Sequence, residues 1–305
     1  MSAAVTVVAV TYSPGVHLGN FLDSLATATG SDVDVVLVDN GSTDDAPEQA
    51  ERAAAAKGVP LRLVRTHANI GFGQAANVGL RAADTEWVVI ANPDVVWREG
   101  ALDELLAATT RWPHVAAVGP AIITPEGVLY PSARAIPTLK NGIGHAVFGW
   151  IWPTNPWTRA YRHDAQDPME RETGWLSGAC MLLRRDAVLA LDGFDPQYFM
   201  YFEDVDMCDR LGKAGWQVVY VPTAVVEHVG GHAAERAPMA MMREHHRSAY
   251  RFLADRYTGP KWFPVRVVLR AGLEARLQLS RLFGRVREGA ALRQRAADLP
   301  PRREG

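Results

Sequence analysis

At 305 residues the chain can bury a core, as one large domain or two small ones, and its 48% apolar and 22% charged residues describe an ordinary globular protein, not a disordered or fibrous one. The formal net charge of −2 hides an asymmetry: from Arg243 onward 15 Lys+Arg stand against 6 Asp+Glu, a balance of +9, and 17 against 28 before it, a balance of −11. The basic end is expected to face something anionic, while two cysteines in apolar surroundings, Cys180 and Cys208, exclude a disulfide framework and fit a reducing compartment.

Residues 3–10 lack the basic leader of a signal peptide and read as a buried strand within VTVVAVTY (residues 5–12), which ends at the turn Ser13-Pro14-Gly15. A helical pattern covers Leu18–Ala28, and a second buried strand, Val33–Val38, runs into Asp39, Asn40, Gly41, Ser42 and Thr43. Ala46–Lys57 predicts a helix, Leu61–Arg65 a short strand, and Asn69 to Gly73 a loop opening the helix Gln74–Ala83. The glycines of that loop follow the third strand and lack full G-x-G-x-x-G spacing, which argues against a dinucleotide site. Trp87–Ala91 is a fourth strand, broken by Asn92-Pro93-Asp94; Glu99–Arg111 is a helix and Val115–Pro120 a strand. Alternating strands and helices imply βαβ units in a mostly parallel sheet, whose ligands bind beyond the carboxyl ends of the strands. Thr11, Asp39, Asn40, Ser42, Asn92 and Asp94 all fall at such ends. Asn92-Pro93-Asp94 reads equally as a plain Asx-Pro turn or as a carboxylate holding Mg2+ or Mn2+ against a diphosphate.

Regularity lapses over residues 131–173, which carry five prolines and the aromatics Phe148, Trp150, Trp152, Trp157 and Tyr161, the composition of a lid or binding excursion. The apolar run at 143–152 falls short of the roughly 20 residues a membrane span requires. Small residues at Ser177, Gly178 and Ala179 then permit close approach to a ligand or another strand. The stretch Phe194–Leu211 leads an aromatic run into Glu203, Asp204 and Asp206, which reads either as a general-base cluster in an apolar cleft or as acids suited to a helix N-terminus. A strand over Gly215–Pro222 and the histidines His228 and His232 beside glycines follow. Over Trp262–Phe283, Val265, Leu269, Leu273 and Leu277 share one helical face among arginines, suiting a membrane interface, the protein body or a partner subunit. Arg293–Gly305 is expected to be disordered.

VTYSP, VDNGSTD, NIGFGQAANVG, NPDV, GWLSGACMLLRR, FDPQYFMYFEDVDMCDRL and VVEHVGGH, in this order over residues 4–235, resemble family 2 glycosyltransferases, and the NPD and FEDVD forms resemble their bacterial rhamnosyltransferase branch. The resemblance implies a GT-A fold: a doubly wound, mostly parallel α/β sheet over residues 1–240, with a nucleotide half to about 120, an acceptor half beyond it, and a basic helical tail over 241–305. It implies an inverting transfer of L-rhamnose from dTDP-rhamnose to polyprenyl-diphosphate-linked N-acetylglucosamine, in arabinogalactan linker synthesis of the cell wall, peripheral on the cytoplasmic face of the plasma membrane. Nucleic acid is no partner; a second copy of the chain remains open. By resemblance Thr11, Asp39 and Ser42 line the nucleoside pocket, with Asn40, Gly71, Asn77, Asn92, Ser177 and Gly178 also on the donor. Asp94 and His228 would hold Mg2+ or Mn2+, Asp204 would be the base, and Glu203 would orient it or the acceptor; the role of His232 stays open. Another nucleotide sugar or acceptor, and a silent sugar-nucleotide-binding partner, are the alternatives. Nucleotidyl transfer is discounted, because TYSPGVHL after the first strand has no lysine.

Overall fold

The computed structural model describes residues 4–139, 169–230 and 238–297, with side chains of the last helix placed through Arg281. The aromatics expected in the 131–173 excursion and His232 lie outside the described residues. The chain divides into two compact units, Met1–Gly231 and His232–Gly305.

In the first unit, four β-branched runs, β1 (Val5–Thr11), β2 (Val33–Asp39), β3 (Leu61–Arg65) and β4 (Trp87–Ala91), form the parallel half of a sheet in the order β3-β2-β1-β4. The crossovers are the helices α1 (His17–Ala28), α2 (Ala46–Lys57) and α3 (Phe72–Ala82). All seven positions of β1 are buried, as a central strand covered on both faces requires. The sheet continues through β11 (Cys180–Arg184), β6 (Val115–Ile123), β12 (Gln217–His228) and β5 (Val95–Trp97). Strand β11 is antiparallel to both β4 and β6, and β12 is parallel to β6. Helix α4 (Ala101–Arg111) lies between β5 and β6 in the chain, and the short α5 (Arg185–Leu189) follows β11. A two-stranded sheet of β8 (Ala133–Arg134) and β10 (Trp175–Leu176) stands apart. Strands β7 (Leu129–Tyr130) and β9 (Arg171–Glu172) pair with β6 and β12.

This topology brings the carboxyl ends of β1, β2, β4 and β12 to one edge. Because β11 runs the other way, it delivers its beginning there, so Ser177, Gly178 and Ala179 join that edge from the residues that precede a strand. At the opposite edge Arg184 lies over the rings of Trp87 and Trp216, 4.9 and 5.4 Å from their centroids.

Two differences from the sequence reading shape the site. Strand β12 does not stop at Pro222 but passes a register shift between Val221 and Val225 and continues to His228. A bulge tolerates a proline with no N–H to give the ladder. Strand β5, only three residues long, pairs antiparallel with β12 and sets His228 opposite Val95. That register puts Asp94 beside the imidazole.

Asn77 is the clearest correction to the expected donor residues. It is 6% exposed, donates from Nδ2 to the Phe194 carbonyl (2.7 Å) and accepts the Phe194 N–H at Oδ1 (2.8 Å). Its amide staples α3 to the segment that leads into the acidic stretch.

In the second unit, α7 (Pro238–Arg256) and α8 (Phe263–Ala297) are joined through a turn of 3-10 helix at Pro260–Trp262 and pack on each other. The expected lipid-facing stripe is the packing face: Leu277 is 3% exposed and Val265, Leu269 and Leu273 are partly covered. Exposed instead are Phe263, Val267, Val268 and Leu279. Helix α8 also runs on to Ala297, into residues expected to be disordered. Among the described residues no helix is long and apolar enough to cross a membrane.

Replacing Asn77 by Ala strands a buried N–H and a buried C=O, each costing about 1–3 kcal/mol. The urea midpoint should fall markedly at constant slope. A nearly unchanged midpoint with weakened donor binding would return Asn77 to the nucleotide site.

Candidate active site

Three groups of side chains meet at the carboxyl edge. The first lies at the ends of β1 and β2, beside the point between β1 and β4 where strand order reverses. Asp39, 8% exposed, accepts the Ser42 N–H at Oδ1 (2.8 Å), and Ser42 Oγ accepts the Ser13 N–H (2.9 Å). Thr11 is fully buried and its Oγ1 has no hydrogen-bond partner among the described residues. Asn40 differs from the expected donor contact. Its Oδ1 accepts from Ile70 N (3.0 Å) and Thr66 Oγ1 (3.2 Å), while Nδ2 donates to Asn69 Oδ1 (3.1 Å) and the Gly71 carbonyl (3.4 Å). The Thr66 hydroxyl, with one proton, lies closer to the Ala68 carbonyl (2.7 Å), so the Ile70 N–H is the firm donor to Oδ1, and both ends of the Asn40 amide are engaged by the loop it holds. Gly71, at φ +91°, would bring a Cβ within 2.6 Å of the Phe199 carbonyl oxygen. It is needed for that crossing of chains, since the neighbouring Phe72 N–H bonds the same carbonyl (3.0 Å).

The second group is Asn92, Asp94 and His228. Asp94 accepts the Gly230 N–H at Oδ2 (3.0 Å), and its Oδ1 lies 3.2 Å from His228 Nε2. Burial alone would raise the Asp94 pKa, but the hydrogen bond and charge of His228, with backbone N–H donors, outweigh it and hold the carboxyl below its usual value. Asn92 Nδ2 stands 3.1 Å from the same His228 Nε2. With the Asn92 amide turned to present Oδ1, a protonated Nε2 serves both neighbours; deprotonated, the same nitrogen offers a lone pair beside the carboxylate, so the three side chains converge as oxygen and nitrogen donors. Among the described residues no three His, Cys, Asp or Glu side chains cluster as a metal cage. The set therefore fits a hard divalent ion whose remaining positions are filled by water and phosphate oxygens.

The third group sits on α6 (Glu203–Lys213). Asp204 keeps some exposure, and its Oδ2 accepts the Gly178 N–H (2.8 Å) while Oδ1 accepts Val205 N (2.8 Å). Gly178 is thus a partner of the acid; a Cβ there would stand 3.3 Å from the Cβ of Asp204. Ser177 accepts the Ala179 N–H at Oγ (3.4 Å), and its own N–H donates to the Ser132 carbonyl (2.8 Å). The Ala179 carbonyl accepts the Asn92 N–H (2.9 Å), so two consecutive residues connect the acid to the Asn92-Asp94 corner. Glu203 is 6% exposed, lies against Gly73 in the first turn of α3, and leaves Oε2 without a partner. Burial, reinforced by the neighbouring Asp204, pushes Glu203 up to about 8. Burial also raises Asp204, opposed by the Gly178 and Val205 N–H groups. Both carboxyls are thus raised, which favours one shared proton; the two N–H donors on Asp204 favour its ionised form, whereas Glu203 Oε2 has no such donor.

The backbone before these acids is strained: Tyr201 and Phe202 take φ of 66° and 67°, in the left-handed region that costs bulky residues about 1–3 kcal/mol each. No residue pattern announces this, nor the contribution of the Gly230 N–H. Asp206, in the same first turn, pairs with Arg210 (2.8 Å), which also donates to the Leu191 and Gly193 carbonyls. That acid supports the helix start, as its position in the sequence suggests.

A doubly wound sheet with these three groups along one edge is that of a GT-A glycosyltransferase. The chain belongs to glycosyltransferase family 2: residues 3–251 match the family described as Glycosyltransferase like family 2. It is 50% identical over 290 residues to the N-acetylglucosaminyl-diphospho-decaprenol L-rhamnosyltransferase of Mycobacterium tuberculosis, covering 92% of this chain and 93% of that protein. The rhamnosyltransferase WbbL of Escherichia coli K12 is 29% identical over 60% of this chain and 70% of its own. Among solved structures, the mannosyltransferase PcManGT of Pyrobaculum calidifontis, in complex with GDP-Man and Mn2+, superposes with a TM-score of 0.59 at 21% identity over 98% of this chain and 77% of that one.

Glu203 also makes stability depend on pH. As pH rises past the ordinary carboxylate value the unfolded chain releases this proton, whereas the folded chain keeps it until about 8, so stability falls across that window. The difference in melting temperature between Glu203→Gln and the parent protein should grow in the variant's favour from pH 5 to pH 8.5. A constant difference would mean that Glu203 is ionised in the folded protein.

Proposed function

We propose that the protein transfers L-rhamnose from dTDP-rhamnose, with inversion, to the N-acetylglucosamine of a polyprenyl-diphosphate-linked acceptor in cell-wall linker synthesis. The observation that carries the reaction type is the buried Glu203–Asp204 pair, joined through Gly178 and Ala179 to the Asn92, Asp94 and His228 corner. The 50% identity to the mycobacterial relative, over 92% of this chain and 93% of that protein, supports donor sugar and acceptor class.

Asp39 and Ser42 receive the nucleoside above the fully buried Thr11, and an Asp39 oxygen accepts the pyrimidine N3–H. Asp94 and His228, with Asn92 as a neutral third contact, would hold Mg2+ or Mn2+. When bound there, a divalent cation neutralises charge on the nucleoside diphosphate as it leaves. Asp204 takes the proton of the acceptor hydroxyl, on the face of the sugar away from the diphosphate, as an in-line displacement requires. The two N–H groups on its carboxylate aim it and keep it ionised. Glu203, neutral and buried, does not compete for the proton; it withholds a second negative charge from the site. Among the described residues no side chain is nominated as a nucleophile for a double displacement.

The acceptor is a lipid, so the enzyme works at the inner face of the plasma membrane. Phe263 and Val268, 60% and 71% exposed on α8 among arginines, are the residues that enter the lipid interface.

The direct assay offers polyprenyl-diphospho-N-acetylglucosamine with dTDP-rhamnose or UDP-sugars, with and without EDTA. Rhamnose transfer that EDTA removes is expected, and Asp204→Asn should lower kcat by roughly 10²–10⁴-fold, the usual contribution of a general base. A UDP-sugar as the better donor would keep the family and overturn the branch; nucleotide binding without any transfer would favour a silent binding protein. Replacing Phe263 and Val268 by Asp should reduce co-sedimentation with anionic vesicles about tenfold or more, because each buried apolar side chain is worth about 1.5–3 kcal/mol. Unchanged sedimentation would place the membrane contact elsewhere.

A further inference from the structure

We propose that Arg134 is the anion clamp of the acceptor subsite, its guanidinium holding the diphosphate that joins the acceptor sugar to its lipid; this rests on the rhamnosyl transfer proposed above. The placement follows from the small sheet. Strand β8 pairs with β10 so that Arg134 stands opposite Trp175, and Ala133 opposite Leu176. Strand β10 then runs directly into Ser177 and Gly178, whose N–H holds Asp204. The same segment is tied back to β8 by the bond from Ser177 N to the Ser132 carbonyl (2.8 Å), and Ser132 Oγ donates to the Pro120 carbonyl (2.9 Å). Arg134 is therefore built into the framework that positions the base, and its charge acts on that carboxylate, favouring the ionised form.

The guanidinium is oriented. Its Nε donates to the Pro131 carbonyl (2.9 Å), and its Cζ lies 5.7 Å from the ring centroids of both Tyr130 and Trp175. Trp175 is itself fixed by its Nε1–H on the Ala135 carbonyl (3.1 Å). A planar fork held between rings is preorganised for bidentate contact with phosphate oxygens, which a flexible ammonium is not. Tyr130 remains 42% exposed, and Tyr201, half-buried beside Glu203, lies within electrostatic reach of it. The two phenol rings suit the faces of a sugar. The pyranose would then sit between this rim and Asp204, with its anomeric diphosphate toward Arg134.

Charge makes such a group necessary. Residues before Arg243 carry 17 Lys+Arg against 28 Asp+Glu, so a cation beside the base favours the approach of a diphosphate acceptor. The nearby Arg210 is bound to Asp206 and to two carbonyls. The donor's diphosphate belongs to the Asp94 and His228 corner, on the other side of the Gly178-Ala179 bridge.

The test uses the full chain with Mg2+ and two acceptors on the same short polyprenyl group, one with the diphosphate and one a simple glycoside of N-acetylglucosamine. Arg134→Gln should raise KM for the diphosphate acceptor tenfold or more, leave KM for dTDP-rhamnose within twofold, and remove the parent's preference for the charged acceptor. Arg134→Lys should fall between them. An equal loss of kcat on both acceptors would mean that Arg134 acts only through Asp204, and a raised donor KM would put it on the donor side; either overturns the clamp. Acceptor binding is read separately from quenching of tryptophan fluorescence. A parent protein that binds the diphosphate lipid but transfers no rhamnose refutes the activity alone. An Arg134→Gln protein that binds this lipid as tightly as its parent, or a parent with no preference for the diphosphate lipid, refutes the clamp. Should Arg134→Gln fail to fold, Arg134→Lys and the parent's preference decide the matter by the same measures.

Discussion

The site depends on the confinement of two adjacent carboxyl groups at the start of α6. Two negative charges so close, with little water, are unstable together, and the fold settles this by treating the neighbours differently. Asp204 receives two N–H donors and keeps some exposure, whereas Glu203 is turned inward against the first turn of α3 with one oxygen unpartnered. One proton then belongs to the pair, and the group that faces the cleft is a base. The left-handed backbone at Tyr201 and Phe202 is the strain accepted to turn the chain sharply enough for this arrangement.

Around that pair the framework is made of backbone contacts through small residues. Gly178 allows the N–H to reach Asp204, Gly71 allows the Phe199 carbonyl to cross close to α3, and Asn77 ties α3 to Phe194. These links join α3, β11 and α6, so the base is positioned by three elements distant in sequence. The Asp94 and His228 pair depends in the same way on the short β5–β12 register.

Much of this was legible in the residues. The parallel strands, their order of appearance, the polar residues at their ends, and the NPD and FED stretches follow from local composition and period-two or helical patterning. Asn40 and Asn77 illustrate the limit. Both stand where a donor-binding amide is expected, and both spend their amides on the fold, because nothing local says which neighbour a long-range contact will supply. The stripe Val265, Leu269, Leu273 and Leu277 was equally ambiguous. Helical periodicity marks it as a face that must be covered, yet lipid and α7 cover an apolar face equally well.

By itself the sequence determined the chemistry available: carboxylates at the ends of two buried strands, two acids at a helix start, a histidine beside glycines, and a basic helical end. Those properties are local, set by side-chain type and by the spacing that secondary structure imposes. Only the tertiary structure decided which acid receives N–H donors, which amides are scaffold, and that Arg134 shares a framework with the base. Burial, strand register and an antiparallel β11 bring together residues more than a hundred positions apart, and pKa values and contacts are properties of that assembled environment.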